Sequence, residues 1–135
     1  MKDLEIIIEK GENGFSGWIE TDDFLLSTMA DTEMAIVDEL KKQVADYIQH
    51  EGKEKAEWKN LSLDQIHFVN KYYLVDFFKA YEAIKINKIT ELAGLNESQV
   101  RHYASGKRNA SVITVQKIEN ALHKFAQNLL DVRLV

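Results

Sequence analysis

The sequence predicts an α+β chain: a small β-β-β-α-β sheet domain over residues 1 to 69, then an all-helical unit over residues 70 to 135. Runs rich in β-branched and aromatic residues fill the first thirty positions. After Asn70 the apolar residues recur every three or four positions instead, which is a helical period. Charge divides at nearly the same point: residues 1 to 68 hold 7 Lys/Arg against 16 Asp/Glu, and residues 69 to 135 hold 10 against 6. An acidic front joined to a basic back predicts two surfaces with two kinds of partner.

Leu4 to Glu9 is a run of strand length, and Gly11-Glu12-Asn13-Gly14 is a turn, because Asn and Gly tolerate positive φ. Residues 15 to 21 alternate, with Phe15, Gly17 and Ile19 on one face and Ser16, Trp18 and Glu20 on the other. The two strands should form an antiparallel hairpin, and residues 24 to 29 a third strand. Asp31 and Thr32 are cap-type residues for an amphipathic helix with Ile36 or Val37, Leu40, Val44, Tyr47 and Ile48 at helical spacing, ending near His50. Residues 51 to 57 are expected as a charged, solvated link, and residues 61 to 69 as a strand returning to the sheet. From Asn70 a helix should carry Tyr73, Leu74, Phe77, Phe78, Tyr81 and Ile84 on its buried stripe. Ser111 can cap a last helix whose inner face is Val115, Ile118, Ala121 or Leu122, Phe125 and Leu129. Residues 131 to 135 alternate and are expected as a terminal strand that pairs with a second copy.

Residues 86 to 106, INKITELAGLNESQVRHYASG, bear most directly on function. A short helix there places Ile89, Leu92 and Ala93 on one face. Gly94 supplies the left-handed conformation that ends it, Leu95 packs inward, and Asn96 caps a second helix running from Glu97 to about Ser105. Val100 and Tyr103 point back at the first helix, and Gly106 closes the second. Glu97, Ser98, Gln99, Arg101 and His102 remain outward, followed at once by Lys107 and Arg108. This is the sequence form of a helix-turn-helix, and the outward donors and acceptors suit the major groove of DNA. A plain helical hairpin explains the apolar positions equally well, but not why the outer face ends in Gly-Lys-Arg-Asn.

The chain has 135 residues, no cysteine and no apolar run near the ~18 residues a membrane span requires. The expectation is a soluble, cytoplasmic protein without disulfides, thiolate metal sites or signal peptide. His50, His67, His102 and His123 are scattered, and none is spaced with a second ligand as a metal site requires. On a strand, Asp22 and Asp23 would point to opposite faces, so they could not line one site together. There is no glycine-rich phosphate loop. These features predict no catalytic residues, no metal and no cofactor. The helical spacing of the aromatic residues from Tyr72 to Tyr81 favours core packing over a base-stacking platform. Trp18 is left open between an exposed anchor for a protein partner and a residue covered by a helix.

Two resemblances rest on these residues. The stretch Ile89-Thr90-Glu91-Leu92-Ala93-Gly94-Leu95-Asn96, with Val100, Tyr103 and Gly106, is similar to the helix-turn-helix of the Cro/C1-type (XRE) repressor family. Thr90 stands where a smaller residue is usual, so its hydroxyl has to be hidden. The resemblance implies that Glu97, Ser98, Gln99 and His102 face base edges, and that Asn87, Lys88, Arg101, Lys107 and Arg108 contact phosphates. Over nearly the whole chain, a strand, Gly14-Phe15, two further strands and Ala30-Asp31-Thr32-Glu33-Met34-Ala35 opening a helix resemble a HicB-type antitoxin, without the proline and glycine that usually precede the third strand. That resemblance implies a degenerate RNase H-like front domain that blocks a small basic RNA-cleaving toxin of the HicA type. It also implies a back domain that represses its own operon. The expected partners are thus a HicA-like toxin, a palindromic operator in double-stranded DNA and a second copy of the chain, with no membrane. A stand-alone XRE-type repressor whose front domain senses a ligand or only dimerises is the alternative. A pure protein-interaction module is a third possibility.

Overall fold

Leu4, Ile6 and Ile8 alternate with Asp3, Glu5, Ile7 and Glu9, and that period of two makes β1 (Lys2–Lys10) a strand with one buried face and one face on which Ile7 is half-buried and the three acids reach solvent. The computed structural model describes all residues Met1–Val135, an α+β chain with one four-stranded mixed sheet and five α-helices. The chain divides into two compact units, Met1–Tyr73 and Leu74–Val135. No helix is long and apolar enough to cross a membrane.

In the first unit the sheet order is β3-β2-β1-β4. β2 (Phe15–Glu20) pairs antiparallel with β1, Trp18 opposite Ile7, and β3 (Leu25–Ala30) pairs antiparallel with β2, Ser27 opposite Trp18. β4 (Ile66–Tyr72) lies on the other side of β1 and parallel to it, from Lys2 opposite Ile66 to Ile8 opposite Tyr72. A parallel neighbour requires a crossover, and α1 (Glu33–Gln49) supplies it. Thr32 starts α1 as expected, its hydroxyl accepting from the Ala35 N–H at 3.1 Å. Ile36, Leu40, Val44 and Tyr47 then lie buried against Leu4, Ile6, Ile8 and Ile19. The approach is close enough that a Cβ on Gly17 would sit 2.5 Å from the Ile36 side chain, so only glycine fits there.

The segment after α1 differs from the expected solvated link. Residues Glu51–Glu54 form a 3-10 turn with Gly52 buried, and Trp58 is fully buried. The ring of Trp58 packs 5.0 Å from Phe24 and edge-on to Tyr47 at 5.7 Å, and its Nε1–H donates to Asp23 at 2.9 Å. Charge density along the sequence disguised this, because the charged side chains point out while one glycine and one tryptophan point in. Asp22 and Asp23 also lie in the β2–β3 turn rather than on a strand. Trp18 is half-buried on the sheet face opposite α1, and no helix of its own unit covers it.

The fourth strand starts later than expected and ends later. Ser62 caps a short 3-10 turn, Leu63–Gln65, and the length of β1 then draws the chain into the sheet as far as Tyr72. The helical unit consequently begins at Leu74, not Asn70. Its first helix, α2 (Leu74–Ala80), stops before Tyr81 and Ile84, and Tyr73 is exposed. In the second unit α3 (Ile86–Ala93) packs on α4 (Glu97–Ser105) and on α5 (Val112–Leu130), and α2 packs on α4. The core is Phe78, Ile89, Thr90, Val100, Ile118 and Ala121. Ser111 caps α5 as expected, accepting from the Thr114 N–H. Val115 and Leu129, expected inward, are exposed, because α5 is longer than the eight-residue α3 that covers it. Residues 131 to 135 pair with no strand of this chain; Asp131 and Val132 instead close the end of α5, their N–H groups reaching the Asn128 and Leu129 carbonyls at 3.2 and 3.1 Å.

Lys55 approaches Asp23 to 3.3 Å, and together the Trp58 N–H and this ammonium hold the Asp23 carboxyl below its ordinary value. A depressed carboxylate stabilises the fold fully above the unfolded-state value, and that contribution disappears as pH falls through the folded one. The melting temperature should therefore drop on acidification from about pH 5 to about pH 2, and Asp23→Asn should drop less over that window. Thermal melts of the two proteins across the series check it.

Candidate nucleic-acid interface

The α3–α4 turn is set by local chemistry. Gly94 adopts φ 68°, ψ 35°, its N–H reaching the Glu91 carbonyl, while the Leu95 N–H reaches back to the Thr90 carbonyl at 2.9 Å. This pairing closes a helix through a left-handed residue. A Cβ on Gly94 would meet nothing within 4 Å, so the demand there is on φ and not on space. Asn96 caps α4, its side-chain oxygen accepting from the Gln99 N–H at 3.1 Å. Gly106 ends α4 at φ 82°, and a Cβ there would sit 3.3 Å from Val75 of α2.

Thr90 hides its hydroxyl as the sequence required: the residue is 4% exposed and donates to the Asn87 carbonyl at 2.7 Å. Ile89 and Val100 are fully buried, and they fix which side of α4 faces away from the protein. At ~100° per residue, Ser98 and His102 lie roughly opposite Val100, Gln99 on one flank, and Glu97 and Arg101 on the other. Leu92, expected inward beside Ile89, is instead 50% exposed and lines an open groove of about 230 Å³ with Ile84, Ile89 and Phe125.

Of the residues singled out from sequence, Glu97, Ser98, Gln99 and Arg101 are exposed on α4, and His102 is half-buried beside them. Lys107 and Arg108 follow directly, both exposed and in no ion pair, with the Arg108 N–H tied back to the His102 carbonyl at 3.3 Å. These seven lie on α4 and the turn that follows it, between Glu97 and Arg108. Asn87 and Lys88 are separate from it, exposed in the first turn of α3, and Lys88 pairs with Glu91 at 3.4 Å.

Glu97 and Arg101 form an ion pair one turn apart at 3.6 Å. Each charge partly screens the other, so Arg101 presents less positive potential than Lys107 or Arg108. Such exposed pairs contribute well under ~1 kcal/mol, so a competing phosphate can displace the carboxylate. Ser105 went unnoticed in the sequence although it stands three residues after His102 on the same side; it is exposed and donates to the His102 carbonyl at 3.2 Å.

No protein-family model, curated protein or solved structure matches this chain.

Gly94→Asn should keep the turn and lose little stability, since Asn tolerates the left-handed region, whereas Gly94→Val should cost about 1–2 kcal/mol or more. Denaturant unfolding of the two variants separates the backbone demand from a steric one.

Proposed function

We propose that the second unit is a helix-turn-helix that binds operator DNA as a homodimer, and that the whole chain is a HicB-type antitoxin whose first unit holds a small basic toxin. The observation that carries the DNA reading is the α4 surface: Ser98, Gln99 and His102 aim away from the core fixed by Val100, with Lys107 and Arg108 unpaired at its end. Polar side chains on a projecting helix can match base edges in the major groove, and flanking cations can neutralise phosphates. The β-β-β-α-β order of the first unit supports the RNase H-like resemblance. Charge supports the division of labour. Residues 1 to 73 hold 16 Asp/Glu against 8 Lys/Arg, and residues 74 to 135 hold 6 against 9, so the net charges are -8 and +3.

In this mechanism α4 enters the major groove with Ser98 leading. Gln99 offers both a donor and an acceptor, the pattern that adenine pairs with bidentately, and His102 offers a ring nitrogen one turn further along. Lys107 and Arg108 anchor the register on phosphate. Arg101 exchanges Glu97 for a phosphate on contact, and the released Glu97 accepts from a cytosine amine or stays at the helix N-terminus, where negative charge is favoured. Two copies related by a two-fold axis would present α4 to half-sites about 34 Å apart, or a multiple, on a palindromic operator.

Fluorescence anisotropy with duplexes from the region upstream of the gene tests the assignments. Lys107→Ala and Arg108→Ala should weaken binding evenly across sequences and each lower the salt slope by about one. Gln99→Ala and His102→Ala should instead change which duplex is preferred. The same loss on every sequence from both classes would reject the division between base and phosphate contacts. Glu97→Gln should raise affinity by about twofold to tenfold at low salt, since it frees Arg101 and removes a charge that repels phosphate. A weaker variant would show that Glu97 itself contacts a base.

A further inference from the structure

β3 is an edge strand of the sheet, and its sequence Leu25–Ala30, LLSTMA, carries neither charge nor proline, the usual guards of a free edge. Antiparallel pairing alternates, so Leu26, Thr28 and Ala30 bond to β2 while Leu25, Ser27 and Met29 turn their backbone groups outward. One of these outward groups is already engaged: Gln43 of α1 donates its side-chain amide to the Ser27 carbonyl at 3.2 Å. A side-chain amide stands there in the place of a peptide N–H.

Between this edge and α1 runs an open groove of about 720 Å³, and Glu39, Asp46 and Glu51 line it with Lys42 as the one free cation among them. Tyr47 also lines the groove. It is only 6% exposed, yet its buried hydroxyl has no hydrogen-bond partner. An orphaned buried hydroxyl is destabilising, and a ligand group that bonds to it recovers that loss. Leu25 and Met29 flank the edge, 66% and 83% exposed.

We infer that this edge and groove receive an extended basic segment of a partner protein as a fifth strand beside β3. Its backbone pairs with Leu25, Ser27 and Met29 in place of Gln43, its cationic side chains lie along Glu39, Asp46 and Glu51, and a polar group meets the Tyr47 hydroxyl. Strand addition derives affinity from main-chain bonds and specificity from alternate side chains. A second copy of this chain is the poorer occupant, because pairing β3 with β3 would bring two carboxylate-lined grooves together. The inference rests on the proposed basic partner and gives it a place on the first unit.

The test uses the full chain and a synthetic eight-residue peptide alternating lysine and valine. Residue-resolved amide exchange should slow at Leu25, Ser27 and Met29 on adding the peptide, with Leu26 and Thr28 protected beforehand. Ser27→Pro removes an outward donor without touching the β2 ladder, and it should weaken the peptide by about tenfold, whereas Ser27→Val should bind like the parent. Tyr47→Phe guards against misfolding as the cause: the free variant should melt no lower than the parent, while its peptide binding falls several-fold. Unchanged exchange at the three outward amides, or equal peptide binding by Ser27→Pro and the parent, overturns the inference. So does a self-associated parent that Ser27→Pro converts to a smaller species. Small basic proteins encoded beside this chain separate the two proposals: if none binds the full chain while the peptide protects those amides, the antitoxin reading fails and the strand-addition site stands; if one binds and leaves them unprotected, the strand-addition site fails and the antitoxin reading stands.

Discussion

Burial of Ile89, Thr90 and Val100 where α3 meets α4 is the constraint on which the second unit depends. Once Val100 is fixed inward, the rotation of α4 follows, and with it the identity of every side chain offered to a partner. The turn cannot vary much either. Gly94 must be left-handed for the Leu95 N–H to reach the Thr90 carbonyl, and Asn96 must be extended for its side chain to cap α4. Thr90 is the one polar residue in this contact, and it satisfies its hydroxyl within its own helix, leaving the apolar packing intact. A single well-defined outer face results, which is a precondition for reading a sequence of bases.

The first unit solves a different problem. A four-stranded sheet with one helix has a covered face, but it also keeps an open face and two free edges. The aromatic cluster of Phe24, Tyr47 and Trp58 locks the end of α1 to the β2–β3 turn, with Asp23 as its polar fastening. That rigid corner stands beside the acidic groove and the unguarded β3 edge. Stability and binding surface are therefore built from the same residues, with Tyr47 contributing its ring to one and its hydroxyl to the other.

The sequence was informative wherever structure is set locally. Thr32, Asn96 and Ser111 as caps, Gly94 and Gly106 as stops, and the alternation of Leu4, Ile6 and Ile8 each express a rule that spans a few residues, and each appears in the fold. Legibility fails where the deciding partner is distant. Trp58 is buried because Asp23 lies 35 residues away, and β4 extends to Tyr72 because Ile8 accepts it as a parallel partner. Val115 and Leu129 fit an apolar stripe, yet the short α3 facing them leaves them uncovered, and Leu92 fits one too but borders an open groove with Phe125. On the candidate interface the residue types were readable, but the Glu97–Arg101 pair and the isolation of Lys88 on α3 depend on side-chain placement. The groove beside β3 left no sequence signal, since Gln43, Tyr47 and Ser27 meet only through the crossing of α1 over the sheet.

The proposed function requires the outer face of α4 to lie along a duplex. A residue-by-residue NMR titration of the full chain with a duplex from upstream of its gene, at low salt, tests this most directly. The largest amide shifts should fall at residues 97 to 102 and at Lys107 and Arg108, fading as salt is raised. Shifts absent from α4 at low salt, or confined to the first unit, would contradict it.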